Sequence, residues 1–160
     1  MIAVRVTALT EPAAEQLVGV AEVFDQYRRH YGQPVVAGQT LAWLSDHTSH
    51  RRLSVFVARA GEDLVGLATT VALPASLRLG CSWQLRDLFV VPGARRGGVA
   101  RALVGAVRQA AVAAGAIRLS VQTEPSNIAA VQLYRTSGFV PVEDIRILAL
   151  PLKRRRVTRD

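Results

Sequence analysis

The sequence predicts an α/β fold with a mixed central sheet, in the element order βααβββαβαββ. Three observations support this. Short β-type runs alternate with helical patterns. A length of 160 residues suits one domain. A single strand–helix–strand unit is flanked by a hairpin, which disfavours a fully parallel, doubly wound sheet. We expect one domain over residues 1–152, followed by a basic tail over residues 153–160.

The first half of the chain is predicted to hold a strand, two helices and a hairpin. The long helix is supported by apolar residues at three- and four-residue spacing, and a short turn rich in Gly and acidic residues separates the hairpin strands. In chain order these elements are Val4–Leu9, a helix opened by Pro12 and ended by Gly32, a helix at Leu41–His47, and the runs Leu53–Ala60 and Leu64–Leu73 around Gly61–Asp63.

The second half is predicted to alternate strands and helices after a loop at Pro74–Cys81. Glycines mark both helix ends, because Gly readily takes the left-handed conformation there. The elements are a strand at Trp83–Val91, a helix at Gly97–Ala114, a strand at Ile117–Thr123, a helix from Pro125 or Ser126 to Ser137, and closing strands at Phe139–Val142 and Ile145–Leu152.

Composition excludes several classes of protein. No apolar run reaches the roughly 18 residues that a membrane span needs, and the N-terminus does not resemble a signal peptide, so we predict a cytoplasmic protein with no membrane partner. The single cysteine, Cys81, cannot form an intrachain disulfide. His47 and His50 lack metal-ligand spacing, so no metal is predicted. Trp43 and Trp83 are expected to fill core or interface.

The formal charge of +8 is concentrated in the tail and around Arg95–Arg101. Such a balance is typical of proteins that bind nucleic acid, anionic membranes or small anions. Nucleic acid is disfavoured, because the aromatic residues are not interleaved with the basic ones and no reading helix is apparent.

The stretch from Leu85 to Arg101 is the most informative, because a strand leads through a loop of glycines and arginines into a helix. Free N–H groups and the positive end of the helix dipole lie at such a helix start, and Gly97 and Gly98 let a bulky anion approach the main chain. The loop is neither a G-x-x-x-x-G-K-S/T nor a G-x-G-x-x-G motif. From these residues alone, a diphosphate site and a plain tight turn both stay open.

Two motifs carry a resemblance to a known family. The segment Arg95–Ala100 matches the signature R/Q-x-x-G-x-G/A, and Asn127–Tyr134 followed by Gly138-Phe139 matches N-x-x-A-x-x-L-Y-x-x-x-G-F. In both motifs, and in the helix and strand between them, the chain resembles the GNAT superfamily of N-acetyltransferases. The resemblance covers most of the chain and is clearest over residues 53–139.

The resemblance implies how acetyl-CoA would bind and react. The pantetheine arm would pair with the opened edge of the third β run, the pyrophosphate would receive main-chain N–H groups from the loop, and Asn127 would hydrogen-bond the pantetheine region. Tyr134 would protonate the leaving thiolate, and the Val90 N–H would stabilise the developing oxyanion. The implied coenzyme-binding residues are Leu88, Phe89, Val90, Arg95, Arg96, Gly97, Gly98, Val99, Ala100, Arg101, Asn127 and Tyr134.

The acceptor side is less defined by the sequence. Asp87 and Glu124 are alternative general bases, beside a water-relayed proton or no dedicated base; if strand alternation holds, Asp87 shares a face with Leu85 and Phe89. By the same resemblance, the candidate acceptor contacts are Tyr27, His30, Tyr31 and Gln33. From the residues alone, a purely structural Tyr31 at the end of the helix stripe and a solvated His30 stay open.

The predicted function is transfer of an acetyl group to a primary amine, with a small or amino-acid-like acceptor. A protein lysine or N-terminal acetyltransferase and a non-catalytic acyl-CoA-sensing module are the alternatives. A homodimer through pairing of the C-terminal strand is a further expectation.

Overall fold

A computed structural model of the chain describes residues 3–152. It confirms the predicted α/β class with a mixed sheet; the basic tail, residues 153–160, lies outside the described residues. The elements are β1 (Val4–Leu9), α1 (Ala14–His30), α2 (Gln39–Ser49), β2 (Ser54–Ala60), β3 (Asp63–Ala75), β4 (Gly80–Val90), α3 (Val99–Ala113), β5 (Arg118–Val121) and α4 (Ile128–Thr136). Short 3₁₀ turns lie at Ser76–Arg78 and Pro92–Ala94.

The sheet has five strands in the order β1-β2-β3-β4-β5. The first four are antiparallel neighbours, whereas β5 runs parallel to β4. The parallel pairing is short, since it ends where Leu85 meets Val121, although β4 continues to Val90. The last residues of β4 therefore have a strand neighbour on the β3 side only, and a gap opens between β4 and the end of β5.

Apolar side chains cover both faces of the sheet. On one face α1 and α2 pack against a buried cluster that includes Leu17, Leu44 and Leu67. On the other face α3 and α4 pack against a cluster that includes Leu85, Leu103 and Tyr134. Within residues 3–152, no helix is long and apolar enough to cross a membrane.

A β-bulge interrupts the pairing of β3 with β4. Thr69 is opposite Asp87 while Thr70 is opposite Leu85, so Arg86 is an extra residue on β4. Leu85 consequently belongs to the cluster under α3, whereas Phe89 belongs to the cluster under α1 and α2. The expectation that Leu85, Asp87 and Phe89 share one face is wrong for Leu85, because the bulge breaks the alternation.

The prediction of two closing strands at Phe139–Val142 and Ile145–Leu152 is wrong. Residues 139–152 form neither helix nor strand. Phe139 packs against the cluster under α3, but the apolar side chains after it are 56–90% exposed. Alternating apolar residues are compatible with a strand, but a strand also needs a neighbour to satisfy its backbone. The dimer that was expected to form through this segment stays a prediction.

Several element ends differ from the predicted ones for local reasons. The α1 helix begins at Ala14 rather than Pro12, and the Gln16 side chain accepts a hydrogen bond from the Ala13 N–H at 2.9 Å. The α4 helix begins at Ile128, because Asn127 Oδ1 accepts from the Ala130 N–H at 3.2 Å and acts as its N-cap. The loop predicted at Pro74–Cys81 is shorter, since β3 and β4 both extend into it.

Candidate active site

The junction between β4 and α3 presents a row of main-chain donors. The first backbone bond of α3 runs from the Ala102 N–H to the Gly98 carbonyl at 2.9 Å, so the N–H groups of Val99–Arg101 have no acceptor within the helix. Gly98 is the N-cap at φ 83°, a left-handed conformation that favours glycine, and no side chain within residues 3–152 caps the helix. The geometry suits an anion.

The unpaired edge of β4 presents its own backbone groups to the gap. The Val91 N–H donates to the Val65 carbonyl at 3.0 Å, which makes these two residues a hydrogen-bonded pair. In antiparallel strands such pairs alternate with non-bonded ones. The pair of Val90 with Gly66 is therefore non-bonded, and the N–H and C=O of Val90, like those of Leu88, face away from β3. The backbone groups of Phe89 face β3.

Close packing holds the end of β4 against α3. A Cβ atom on Gly66 would lie 2.9 Å from the Phe89 carbonyl oxygen and 3.2 Å from Val99 Cγ1. Only a glycine in β3 permits this approach. The donors at the start of α3 are thereby fixed beside the open edge of β4.

Arg95 lies along the same edge. Its Nε donates to the Val90 carbonyl at 3.0 Å, and its guanidinium carbon is 5.6 Å from the centre of the Phe89 ring. The side chain thus binds one of the two backbone groups that Val90 presents to the gap.

These groups surround a cavity of about 810 Å³ that we call the junction cavity. Its walls are the end of β4, the start of α3, the loop after β5, α4 and the last turns of α1. Every predicted coenzyme-binding residue except Gly97 lines it: Leu88, Phe89, Val90, Arg95, Arg96, Gly98, Val99, Ala100, Arg101, Asn127 and Tyr134. The structure therefore brings the predicted set together, while the role of each residue stays a prediction.

Tyr134 is the buried phenol of the junction cavity. Its residue surface is 8% exposed, and its ring packs edge-on against Phe139 with centroids 5.6 Å apart. Burial, with a smaller contribution from Tyr31, raises the pKa of Tyr134 to about 12. The phenol stays protonated across the neutral range and is able to donate a proton.

A second cavity, of about 480 Å³, lies against α1, α2, β3 and β4, and we call it the aspartate cavity. Asp87 Oδ1 accepts from the Tyr27 hydroxyl at 3.0 Å, and Oδ2 accepts from the buried Thr69 hydroxyl. Burial and then the Asp87 charge raise the pKa of Tyr27 well above its ordinary value, so Tyr27 stays a donor. Two hydroxyl groups therefore orient the Asp87 carboxylate.

The candidate acceptor residues are divided between the cavities. Tyr27 lines both of them, whereas His30 and Tyr31 line the junction cavity. Gln33 is exposed and lines neither of these two cavities. Of the candidate bases, Asp87 lines the aspartate cavity, while Glu124 is exposed and lines neither cavity.

Sequence reasoning missed several residues of the aspartate cavity. Trp43, expected in the core or an interface, lines this cavity, is 41% exposed, and stacks on His47 with ring centroids 4.2 Å apart. Thr69 was not predicted, because a Thr in a strand carries no motif. Arg86 was considered only as a possible ion-pair partner of Asp87, and within residues 3–152 that pair does not form. The segment Leu85–Asp87 gave one usable signal, a polar pair within an apolar strand. No group of three or more His, Cys, Asp or Glu within residues 3–152 is arranged to hold a metal.

An opened mixed sheet, with free main-chain N–H groups and a buried phenol at its gap, would suit a transferase that takes an acyl group from a phosphate-bearing donor. The sequence profile of the Acetyltransferase (GNAT) family matches residues 20–139. The chain belongs to the GNAT acetyltransferase family and is therefore an acyltransferase.

Individual relatives agree with this placement. The chain is 30% identical over 120 residues to the uncharacterized N-acetyltransferase YhfO of Bacillus subtilis (strain 168), which covers 75% of this chain and 80% of YhfO. The crystal structure of a probable acetyltransferase superposes with a TM-score of 0.86 at 27% identity, covering 94% of this chain and 99% of the other. An aminoglycoside acetyltransferase from a soil metagenome, in complex with sisomicin, shares the fold with a TM-score of 0.79 at 19% identity, covering 94% and 97%.

Proposed function

We propose that this chain is an N-acetyltransferase that moves the acetyl group of acetyl-CoA to the primary amine of a small, amino-acid-like acceptor, by direct attack in a ternary complex. One observation carries the proposal. The junction cavity and the aspartate cavity are both lined by Tyr27 and Arg86, so a donor in one and an acceptor in the other would meet there.

The junction cavity suits the coenzyme in its backbone chemistry. The N–H groups of Arg96–Arg101 would bind the pyrophosphate at the helix start. The pantetheine amides would pair with Leu88 and Val90, whereas the backbone of Phe89 is engaged by β3. Arg95 would give up the Val90 carbonyl to the incoming amide and keep its charge for the phosphates. Asn127, whose Oδ1 caps α4, would offer its amide nitrogen.

The chain's own residues supply the chemistry of transfer. The amine nitrogen forms a bond to the thioester carbonyl carbon, and the Val90 N–H, which faces the gap, stabilises the oxyanion. As the C–S bond breaks, Tyr134 gives its proton to the departing thiolate. Asp87 takes the proton that the amine loses, because its carboxylate lines the acceptor cavity and Glu124 does not. The products are an amide and free coenzyme A.

The test is a thiol-release assay with acetyl-CoA and a panel of amines, polyamines, amino acids and peptides, with the acetylated product identified by mass spectrometry. We expect stoichiometric thiol and amide with a small amine. Turnover of peptides alone would instead support a protein acetyltransferase. Calorimetric binding of acetyl-CoA without turnover of any amine would support the sensing module, and a folded protein that does not bind acetyl-CoA would overturn the proposal.

A further inference from the structure

The charges of the aspartate cavity are unevenly matched. Three arginines line it, and two of them already face carboxylates: Arg28 lies 3.9 Å from Asp25, and Arg52 lies 3.2 Å from Asp46. The third is Arg86, which is exposed and donates to the neutral Gln84 side chain at 3.3 Å. Within residues 3–152, Arg86 forms no ion pair with a carboxylate.

Asp87 is the carboxylate of the same cavity that has no ion-pair partner within residues 3–152. Its partners are the hydroxyl groups of Tyr27 and Thr69. The cavity thus offers one carboxylate and one guanidinium whose charges are not matched by the protein. Hydrogen bonds to ionised groups are the stronger ones, so both groups favour charged partners.

The β-bulge is what puts these two groups in one cavity. Consecutive residues of a regular strand point to opposite faces of the sheet. Because Arg86 is the extra residue between Leu85 and Asp87, the alternation fails there, and Arg86 and Asp87 both line the aspartate cavity. Their Cα atoms are about 3.8 Å apart, as in any trans peptide. Because both side chains line one cavity, a ligand that meets both groups would carry a positive and a negative charge of its own.

The geometry points to an acceptor that is a free amino acid, whose ammonium is received by Asp87 and whose carboxylate is received by Arg86. This rests on the proposed acetyl transfer and names its substrate class. The planar guanidinium fork matches a carboxylate. Phe24, Trp43 and His47 also line the cavity and contact one another in sequence, and this aromatic lining favours an apolar or aromatic acceptor side chain. A peptide N-terminus lacks the adjacent carboxylate, and a polycation would leave Arg86 facing like charge.

Direct attack remains balanced with this acceptor. The ammonium first gives one proton to solvent water. The neutral amine then attacks, Asp87 takes the second proton as the C–N bond forms, the C–S bond breaks, and the thiolate leaves with the proton from Tyr134, which solvent restores. The carboxylate takes no part in the reaction. It lowers KM rather than raising kcat, because it makes the same contact throughout.

The experiment compares three acceptors that differ only in the group on Cα: the carboxylate of L-phenylalanine, the amide of L-phenylalaninamide and the hydrogen of 2-phenylethylamine. Spermidine serves as the polycation, and each of the other proteinogenic amino acids is paired with its amide. Thiol release gives kcat/KM, and calorimetry on the coenzyme A-saturated protein gives Kd for the first two. We expect the best amino acid to exceed its own amide at least about tenfold in kcat/KM, from the loss of one charge-assisted hydrogen bond.

A matched pair of variants assigns the preference to one residue. Arg86→Gln should bring the amino acid and its amide to equal kcat/KM. Arg108→Gln, the same change on the exposed face of α3, should keep the preference and controls for lost net charge.

The possible results distinguish a wrong acceptor class from a wrong proposal of acetyl transfer. Amides, spermidine or peptides acetylated as well as amino acids would overturn the acceptor class and leave acetyl transfer standing. A preference that survives Arg86→Gln would also overturn the assignment. No thiol release from any acceptor, with acetyl-CoA bound, would overturn both.

Discussion

The two cavities on either side of Tyr27 are built in different ways. The donor groups proposed for the junction cavity are main-chain N–H groups of β4 and of the start of α3, fixed by one loop and one helix start. The aspartate cavity presents side chains that four elements bring together, from Phe24 on α1 to Asp87 on β4. Main-chain donors bind any ligand with the same phosphates, whereas side chains define which acceptor fits. Substitutions at the junction should therefore weaken coenzyme binding, whereas substitutions in the aspartate cavity should reduce the use of the acceptor.

The largest effect is expected at the junction, from Gly98→Asp. The carboxylate would lie beside the phosphates and repel them, so acetyl-CoA affinity should fall by more than about 100-fold, a cost of over about 2.7 kcal/mol. Isothermal titration calorimetry on the folded variant measures it.

Gly98→Ala is the matched control. Its Cβ atom would meet nothing within 4 Å, although φ is +83°, so it adds backbone strain of about 1–2 kcal/mol without charge. Both variants should lose thermal stability, and the Asp variant alone should lose most of its affinity. Tight acetyl-CoA binding by Gly98→Asp would contradict the assignment of the junction.

The next largest effect should come from Tyr134→Phe, which removes the proton donor and keeps the ring. We expect kcat to fall about 100-fold, as is typical for loss of a general acid, with the Kd of acetyl-CoA changed less than about twofold. Steady-state kinetics and calorimetry give the two quantities. An unchanged kcat would remove Tyr134 from the acid role and leave it a core aromatic beside Phe139.

A smaller effect is expected on the acceptor side, from Asp87→Asn. The amide can still accept a hydrogen bond from Tyr27 or Thr69 but cannot take a proton, so kcat/KM for the amine should fall about 10-fold to 100-fold. Acetyl-CoA affinity should not change, because Asp87 lies outside the junction cavity. Glu124→Gln is the matched variant and should behave as wild type. The reverse pattern would make Glu124 the base.

The junction was predictable from the sequence because its parts are local. Arg95–Ala100 and Asn127–Tyr134 are motifs of fixed spacing, and the donors they present depend on a helix start and a glycine. All but one of the predicted coenzyme residues were brought to one cavity, although the sequence did not show that Arg95 binds the Val90 carbonyl.

The aspartate cavity was not predictable to the same degree, because it depends on register. Whether Asp87 and Arg86 share a surface is set by a bulge opposite Thr69 and Thr70, and strand alternation alone assigns them to opposite faces. The prediction of two C-terminal strands was wrong for a related reason. Residues 139–152 alternate as a strand would, but pairing depends on a neighbour that no local pattern supplies.

The smallest expected effect is on the pH dependence of kcat, which distinguishes the titration of Tyr134 from that of the acceptor amine. Tyr134 must be protonated to act, and its pKa is raised from 10.0 to about 12, so deprotonation of this group should cause no loss of kcat below about pH 10. The neutral phenol also favours the folded state, since its folded pKa exceeds the unfolded one. That contribution is complete below pH 10.0 and is lost as the pH rises toward about 12.

The kcat of the wild type should therefore rise with pH as the bound amine loses its proton, and then stay level. Rates at saturating substrates between about pH 6 and 10, with tyrosinate absorbance followed in parallel, measure this. Tyr134→Phe should lower the whole curve without changing its shape. A wild-type rate that begins to fall as the pH approaches about 10, and does not fall in Tyr134→Phe, would mean that the pKa of the phenol lies in its ordinary range. In that case burial would not raise the pKa of Tyr134, and the junction cavity would not itself keep the proton donor in its protonated form.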